Sequence, residues 1–321
     1  MSSQPLTLRF SRWAGSEADA FSFFSSLIKP ILKRELVHVT DPTLRVDIEI
    51  SSVYGELSQS SLPSRVYRLM KSKTPGGVPF GSWVNSFNLQ PSELATVNIF
   101  FTGENERPPI GPWDGYLSFD TDPFNGKNAY LPLWWFTCTD LDGARVAPYL
   151  GREIKISDML QPRKSDFDAR SQFCIAFVGK AYPFRLQSLQ KLSSYKPVDI
   201  YGAIARKSIK DKLEPTKSYR FIFCFENDLY PGYVTEKVIE GWATGAVPLY
   251  WGDDPEGYLN PKAMINLKDF NNLDSFLEYV MEVDQSKGLW ESIANEPILL
   301  RAPDLSKVDV VLRNALRKFI S

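Results

Sequence analysis

Residues 226–237 combine the side chains of an anion-binding and acid–base site. This run contains the carboxylates of Glu226 and Glu236, the Lys237 ammonium, the Asn227 amide and the Tyr233 phenol. A cation can neutralise a phosphate-like charge, while amides, phenols and carboxylates orient hydroxyl groups. The same composition also occurs in solvated loops and on charged helix faces, so the flanking residues decide between the two interpretations.

The flanking sequence predicts that this run connects two strands through a helix. Residues 221–225 and 247–251 are apolar runs of strand length, and the Asn, Asp, Pro and Gly residues after the first run indicate a loop. Thr235 can cap a helix with Glu236 in its first turn, and Gly245 is a natural left-handed terminator. Strand–helix–strand units are typical of parallel sheets, which bind ligands at the carboxyl ends of their strands. The amino end of the helix is itself an anion site.

A second pair of acids lies in the first half of the chain. Residues 97–101 are apolar and strand-like, and Glu104 and Glu106 follow them closely. Carboxylates just past a strand suit general acid–base catalysis, although taken alone they more often form a polar turn.

The composition excludes several classes of protein. A length of 321 residues, 43% hydrophobic and 23% charged, is sufficient for two globular domains. A formal net charge of -1 provides no basic field for nucleic acid or an anionic membrane. The only histidine is His38, which argues against a zinc cluster or a histidine-based triad. The three cysteines show no disulfide framework, and Cys174 and Cys224, which lie in apolar strand-like runs, are predicted to be buried thiols.

Signals for metal binding and membrane insertion are weak. Asp-x-Asp triplets begin at Asp120, Asp140 and Asp166, but this short pattern is too common to indicate a metal site. The amino end lacks the basic and then apolar pattern of a signal peptide. No run approaches the roughly 18 apolar residues that span a bilayer. We therefore expect a cytoplasmic protein without a transmembrane segment.

The order of predicted elements indicates an α/β fold with two domains. Strands predicted at residues 6–10, 44–50, 97–101, 117–119 and 131–136 form a first domain, residues 1–160. The helix that Ser16 caps should end or kink before Pro30. The basic residues 64–73 are interpreted as a solvated helix face, and residues 74–90 as a loop that covers a cleft.

The polar residues 161–170 are predicted to be a linker to a second domain, residues 161–300. Its strands are expected at residues 173–178 and 198–201 in addition to the two described above. Residues 301–321 carry an apolar stripe at helical spacing, so this helix should pack back toward the first domain.

Four short segments resemble glycosyltransferase family 10, the α-1,3/1,4-fucosyltransferases. Residues 225–227 (FEN), 233–237 (YVTEK) and 248–252 (PLYWG) resemble the family's donor-binding motif. Residues 102–108 (TGENERP) resemble a segment of its bacterial branch that contains the proposed catalytic base. The resemblance is densest over residues 172–297. Animal members are membrane-anchored, and this chain departs from them.

The resemblance implies a GT-B fold, in which two Rossmann-like domains face each other across a cleft. It implies inverting transfer of L-fucose from GDP-β-L-fucose to a hydroxyl, O3 by expectation, of a GlcNAc or Glc unit in a glycan. The first domain would bind the acceptor and the second GDP-fucose. No metal or other cofactor is expected.

The resemblance also implies roles for individual residues. Glu104 would be the base, with Glu106 as the alternative, and Glu236 would face the sugar or the developing positive charge. Arg185, which follows Pro183 in a predicted first helical turn, would contact the pyrophosphate together with Lys237. The other donor-binding residues would be Gly202, Glu226, Asn227, Tyr233, Val234 and Thr235.

Three other functions compete with this one. A sugar-nucleotide-binding protein could have kept the donor site and lost catalysis, but the intact segment around Glu104 argues against this. A family member could use a different nucleotide sugar. A nicotinamide dehydrogenase shares β-α-β units, but no Gly-x-Gly-x-x-Gly opens a helix here.

Overall fold

A computed structural model describes residues 4–13, 15–53, 89–104, 108–109, 111–138, 146–147, 150, 152–207 and 211–320. The chain divides into two compact units. The first contains Met1–Phe136 and Asp304–Ser321, and the second contains Thr137–Pro303. The predicted helix face at 64–73 and most of the predicted loop at 74–90 lie outside the described residues.

The first unit is built on a parallel sheet of six strands in the order β2-β1-β3-β4-β5-β6. The strands are β1 (Leu6–Ser11), β2 (Leu36–His38), β3 (Val46–Ser51), β4 (Ala95–Thr102), β5 (Gly115–Ser118) and β6 (Asn128–Tyr130). Strand β4 is buried along its last six residues, as expected for a central strand covered on both faces. The helices α1 (Glu17–Leu32) and α2 (Leu133–Phe136) belong to this unit.

Two local features of the first unit differ from the predictions. Helix α1 does not end before Pro30 but continues to Leu32, because Ile31 and Leu32 are buried and their packing outweighs the missing backbone donor; the alternative, a kink at this position, stays a prediction. Residues 131–136 are not a strand. Pro132 cannot donate to a sheet ladder, and the chain after it forms the short helix α2.

The second unit contains a parallel sheet of five strands in the order β10-β9-β11-β12-β13, and a separate antiparallel pair of β7 with β8. The strands are β7 (Val146–Ala147), β8 (Arg152–Glu153), β9 (Gln172–Phe177), β10 (Val198–Tyr201), β11 (Tyr219–Phe225), β12 (Val247–Trp251) and β13 (Ile265–Asn266). Its helices are α3 (Ile156–Met159), α4 (Pro183–Ser193), α5 (Leu213–Thr216), α6 (Glu236–Ala243), α7 (Leu273–Gln285) and α8 (Lys287–Ala294). Aromatic side chains of β11, including Phe221, Phe223 and Phe225, lie in its core.

The boundary between the units lies after Phe136 rather than between residues 160 and 161. Buried Met159 accepts a hydrogen bond from the Leu299 backbone N–H at 3.1 Å, which attaches α3 to the second unit. Residues 161–170 do not form a free linker either. The Arg170 guanidinium is buried and donates to the carbonyls of Thr216, Tyr219 and Thr244. Long-range bonds of this kind cannot be inferred from a polar composition.

The C-terminal helix α9 (Ser306–Leu316) is part of the first unit. Its apolar stripe is buried, and it contacts α1, β4, β5 and β6. A Cβ on Gly115 would lie 3.2 Å from a Val311 methyl group, so this glycine allows the helix to approach β5 closely. No helix in the described ranges is long and apolar enough to cross a membrane. Cys174 and Cys224 are buried free thiols, as predicted, and Cys138 is a buried free thiol as well.

A buried carboxylate connects three elements of the second unit. Asp284 in α7 accepts hydrogen bonds from the Tyr195 hydroxyl at 3.0 Å, the Lys196 ammonium at 2.5 Å and the Arg220 guanidinium at 3.1 Å. Its side chain has no solvent exposure. Because a buried charge is tolerated only with such partners, these contacts stabilise the packing of α7 on the sheet.

Asp284→Asn is expected to destabilise the second unit by about 2–4 kcal/mol, because two cations lose their counter-charge inside the protein. Partial exposure of Lys196 keeps the cost below that of a fully buried pair. The unfolding midpoint should fall by roughly 5–15 °C in a thermal melt. The control is Asp274→Asn in the same helix, whose carboxylate is 71% exposed and pairs with Lys191, and it should leave the midpoint unchanged. Equal midpoints for both variants would contradict the stabilising role of Asp284.

Candidate active site

The carboxyl edge of the second sheet gathers the polar residues that the sequence singled out. Strands β9, β10, β11 and β12 run parallel, so their carboxyl ends lie at one edge. Arg185 follows β9 in the first turn of α4, with Pro183 at the helix start as predicted. Gly202 follows β10 and Glu226 follows β11. Helix α6 begins beside them with Thr235 as its N-cap, also as predicted.

Glu226 is a buried support for the start of α6. One carboxylate oxygen accepts the Thr235 backbone N–H at 2.8 Å, and the other accepts the Lys237 ammonium at 3.0 Å. Burial raises the pKa of Glu226, and the Lys237 charge opposes that rise. Since its side chain has no solvent exposure, the substrate contact expected for Glu226 becomes an indirect one, in which it holds Thr235 and Lys237 in place.

The Lys237 ammonium is held at the amino end of α6. It donates to the Thr235 hydroxyl at 2.8 Å and lies 3.9 Å from a Glu236 carboxylate oxygen. Burial disfavours its charge, but Glu226 and Glu236 outweigh burial, and the pKa of Lys237 is raised. Burial disfavours the charge of Glu236, but the charges of Lys237 and Lys212 and local hydrogen bonds together outweigh it, and the pKa of Glu236 is lowered. The side chain of Lys237 remains 21% exposed, so its charge can reach a ligand.

Arg185 is a buried guanidinium, only 3% exposed. It donates to the Asn227 amide oxygen at 2.9 Å, and the Asn227 amide nitrogen donates to the Tyr233 hydroxyl at 3.4 Å. Its Nε has no hydrogen-bond partner within the described ranges. Burial lowers the pKa of Arg185, and the charge of Glu226 opposes this effect. A buried guanidinium with an N–H group that lacks a partner is well suited to donate hydrogen bonds to an anionic ligand.

Two further predicted residues contribute backbone rather than side chain. Gly202 has a φ of 101°, and a Cβ there would lie 2.6 Å from the Val178 carbonyl oxygen. Only glycine therefore fits, because this backbone packs closely against Val178, and the Gly202 N–H donates to the Lys207 carbonyl at 2.7 Å. The Val234 side chain is buried, so only its backbone atoms are available to a ligand.

Glu104 belongs to the first unit and directly follows the end of β4. Its backbone N–H donates to the Thr102 hydroxyl at 3.2 Å, which fixes the turn. A Cβ on Gly103 would lie 2.7 Å from a Leu133 methyl group, so the turn packs tightly on α2. The side chain of Glu104 is partly exposed. Glu106, the alternative base, lies outside the described residues.

The Asp-x-Asp triplets in the described ranges form turns. Asp120 accepts the backbone N–H of Asp122 at 3.0 Å, and Asp166 accepts that of Asp168 at 2.9 Å. These bonds are the local side-chain-to-backbone pattern that aspartate favours in turns. The triplet at Asp140 lies outside the described residues.

Sequence reasoning missed the ion pair between Lys212, which directly precedes α5, and Glu240 in α6. The ammonium and the carboxylate are 2.5 Å apart, and both side chains are largely buried. Burial raises the pKa of Glu240, and Lys212 opposes this. The spacing of Glu240 four residues after Glu236 was an available signal, because it places both acids on one helix face. No local signal identified Lys212, which is 28 residues away.

Comparison with known proteins links this site to a family. Residues 169–293 match the model of glycosyltransferase family 10 (fucosyltransferase), C-terminal region. The alpha-(1,3)-fucosyltransferase FucT of Helicobacter pylori is 27% identical over 237 residues, which are 67% of this chain and 49% of that protein. The mouse 4-galactosyl-N-acetylglucosaminide 3-alpha-L-fucosyltransferase 9 is 32% identical over 116 residues, 35% of this chain and 32% of that protein. The chain thus spans less than half the length of these relatives.

The fold is also that of a solved enzyme. A crystal structure of alpha1,3-fucosyltransferase with GDP-fucose matches with a TM-score of 0.63 and 21% identity, covering 99% of this chain and 92% of that one. This likeness confirms the predicted fold class, α/β with two Rossmann-like domains of the GT-B type. Over residues 169–293, the second unit thus carries a region that matches glycosyltransferase family 10, the fucosyltransferases.

Proposed function

We propose that the protein is an inverting α-1,3-fucosyltransferase. It moves L-fucose from GDP-β-L-fucose to a hydroxyl, O3 by expectation, of a GlcNAc or Glc unit in a glycan. The observation that carries the proposal is Arg185, whose buried guanidinium is held by Asn227 and retains an Nε without a partner among the described residues. The match of residues 169–293 to family 10, and the similarity in fold to an enzyme solved with GDP-fucose, support the donor pyrophosphate as the proposed anion.

The second unit supplies the charge that the leaving group requires. Arg185 can bind two phosphate oxygens through its planar fork, and Lys237 adds a point charge. The amino end of α6 adds its dipole and its free backbone N–H groups. In this proposal Glu226 does not contact the donor. Its carboxylate accepts a hydrogen bond from Lys237 and holds that ammonium at the amino end of α6. Negative charge on the departing GDP grows during transfer, so these groups stabilise the transition state more than the bound donor.

The first unit supplies the proposed base. The acceptor hydroxyl oxygen forms a bond to the anomeric carbon of fucose as the bond from that carbon to the β-phosphate oxygen breaks. The hydroxyl proton goes to the Glu104 carboxylate, and the bonding electrons leave with GDP. Direct displacement converts the β-linked donor into an α-linked product. In the second unit, Glu236 is suited to hydrogen-bond ribose or fucose hydroxyls or to face the positive charge on the sugar.

The donor site is expected to operate without a divalent metal, because cationic side chains replace it on the phosphates. GDP affinity, measured by calorimetry, should be the same within about twofold with and without EDTA. A buffer exchange without chelator is the control. A loss of tenfold or more in the presence of EDTA would mean that a metal ion bridges the pyrophosphate and that Arg185 and Lys237 are insufficient.

One assay tests the proposed function as a whole. The protein is incubated with GDP-fucose and with lactose, N-acetyllactosamine and type 1 glycans, and the product mass and linkage are determined. Gain of one deoxyhexose in α-1,3 linkage is the expected result. Binding of GDP-fucose with no product on any acceptor would indicate a sugar-nucleotide-binding protein. Products formed only from a different nucleotide sugar would show that the donor is not GDP-fucose.

The cytoplasmic location expected from the sequence stays a prediction.

A further inference from the structure

Trp13 differs from the other tryptophans of the described ranges because its side chain is not buried. It is half-buried and follows the carboxyl end of β1. The others are buried: Trp113, Trp134, Trp135, Trp242, Trp251 and Trp290. Parallel sheets bind ligands at the carboxyl ends of their strands, so a partly exposed tryptophan at this edge is a candidate ligand contact.

Neighbouring aromatic rings hold Trp13 in place. Its ring stacks on Phe101, with centroids 5.4 Å apart and planes at 25°. Phe24 meets it edge-on at 5.8 Å, and Phe10 lies at 5.0 Å. Ring contacts at these distances and angles are favourable, so Trp13 is a rigid surface rather than a mobile side chain.

This surface lies at the same strand end as the proposed base. Phe101, on which Trp13 stacks, is three residues before Glu104 in the chain. Phe136 of α2 lies 6.1 Å from the Trp13 ring. The same short helix contacts the turn that carries Glu104, through Leu133 against Gly103. The Trp13 ring and the turn that carries Glu104 therefore both contact α2 at the carboxyl edge of the same sheet, entirely within the first unit.

The polar edge of Trp13 is available to a ligand. Its indole N–H has no hydrogen-bond acceptor in the ranges that the structure describes, and the indole nitrogen is not fully buried. By contrast, the indole N–H of Trp242 donates to the Glu296 carbonyl, and that of Trp290 donates to the Arg220 carbonyl. Trp13 thus combines a partly exposed ring with an indole donor that has no acceptor among the described residues.

We propose that Trp13 is a stacking platform for a pyranose ring of the acceptor glycan. A pyranose has an apolar face of C–H groups and an edge of hydroxyls, which match an aromatic face and an indole N–H. Stacking there orients a neutral sugar beside Glu104, where its hydroxyl gives up a proton. This inference rests on the proposed function, and it assigns to the first unit a residue that selects the acceptor.

Kinetics of three variants test the platform. Trp13→Ala should raise the acceptor KM by about tenfold or more, and Trp13→Phe, which keeps a ring but loses the N–H, should fall between it and the wild type. The GDP dissociation constant should stay within about twofold, since the ring serves the acceptor only. Phe21→Ala is the matched control, because Phe21 is a half-buried ring of the same unit that stacks on His38 instead. It should leave the acceptor KM unchanged, and thermal melts confirm that each variant is folded.

Acceptor-observed saturation-transfer NMR separates the platform from the transfer activity. With GDP present, N-acetyllactosamine should show binding to the wild type and lose it with Trp13→Ala. If the wild type binds the sugar but makes no product, the proposed function fails and the platform stands. The platform is overturned if Trp13→Ala binds as well as the wild type, or if GDP affinity falls by the same factor as sugar affinity. It is also overturned if the wild type binds no sugar of the panel at millimolar concentration.

Discussion

Glu104→Gln is expected to lower fucosyl transfer by roughly 10²–10⁴-fold, which is the usual contribution of a general base. The amide keeps the size and hydrogen-bonding reach of the carboxylate but cannot take the acceptor proton. Glu104 lies in the first unit, whereas the residues proposed for the phosphates all lie in the second. GDP affinity should therefore stay within about threefold of the wild type, because the base does not contact the nucleotide. Transfer rates with saturating GDP-fucose and calorimetric GDP binding provide the two measurements.

Glu106→Gln is the matched control, because it makes the same chemical change two residues away. It should cost much less than Glu104→Gln. If Glu106→Gln is the inactive variant and Glu104→Gln the active one, the two roles must be exchanged. If both variants remain active, the base lies elsewhere, and the proposed role of the segment at residues 102–108 is wrong.

Arg185→Lys is expected to weaken GDP binding and slow transfer by roughly 10- to 150-fold, the value of about 1.5–3 kcal/mol for a charge-assisted contact. Lysine keeps the positive charge but cannot donate two parallel hydrogen bonds as the planar guanidinium does. Its side chain is also shorter, so the hydrogen bond to Asn227 is lost. The charge on the pyrophosphate grows as GDP leaves, so kcat should fall together with affinity. Steady-state kinetics over a range of GDP-fucose concentrations measure both effects.

Arg313→Lys serves as the control for this substitution. Arg313 lies on α9 in the first unit and pairs with Asp309 on the surface, so its replacement should change neither kcat nor GDP affinity. Wild-type kinetics for Arg185→Lys would show that a single positive charge is enough at this position. The fork would then have no part in donor recognition, and Lys237 would be the principal phosphate contact.

The strand–helix–strand unit of the second domain was predictable because its signals are local. Strand β12 occupies the predicted residues 247–251, and β11 ends at Phe225 as expected. Thr235 caps α6, and Pro183 opens α4. Each of these features depends on residues within a few positions of one another, where side-chain periodicity and capping preferences act directly.

Local rules failed where distant parts of the chain supply the deciding energy. Burial of Ile31 and Leu32 carries α1 past Pro30. Met159 was predicted to lie at the end of the first domain, and Arg170 in a linker. Their hydrogen bonds attach both residues to the second unit. The composition of these segments is ordinary, so their placement depends on partners that are up to 140 residues away.

The residue types at the site follow from the sequence, but the division of labour among them does not. The sequence alone identified the cations, acids and amide at the carboxyl edge of the second sheet, and it placed the two acids after β4. Only the tertiary structure showed that Glu226 faces inward to hold Lys237, and that the buried Arg185 has an Nε without a partner among the described residues. It also revealed the Lys212–Glu240 pair and the partial exposure of Trp13. The physical reason is that the free energy of a charge or a ring depends on its burial and its partners, which are brought together by packing over long sequence distances.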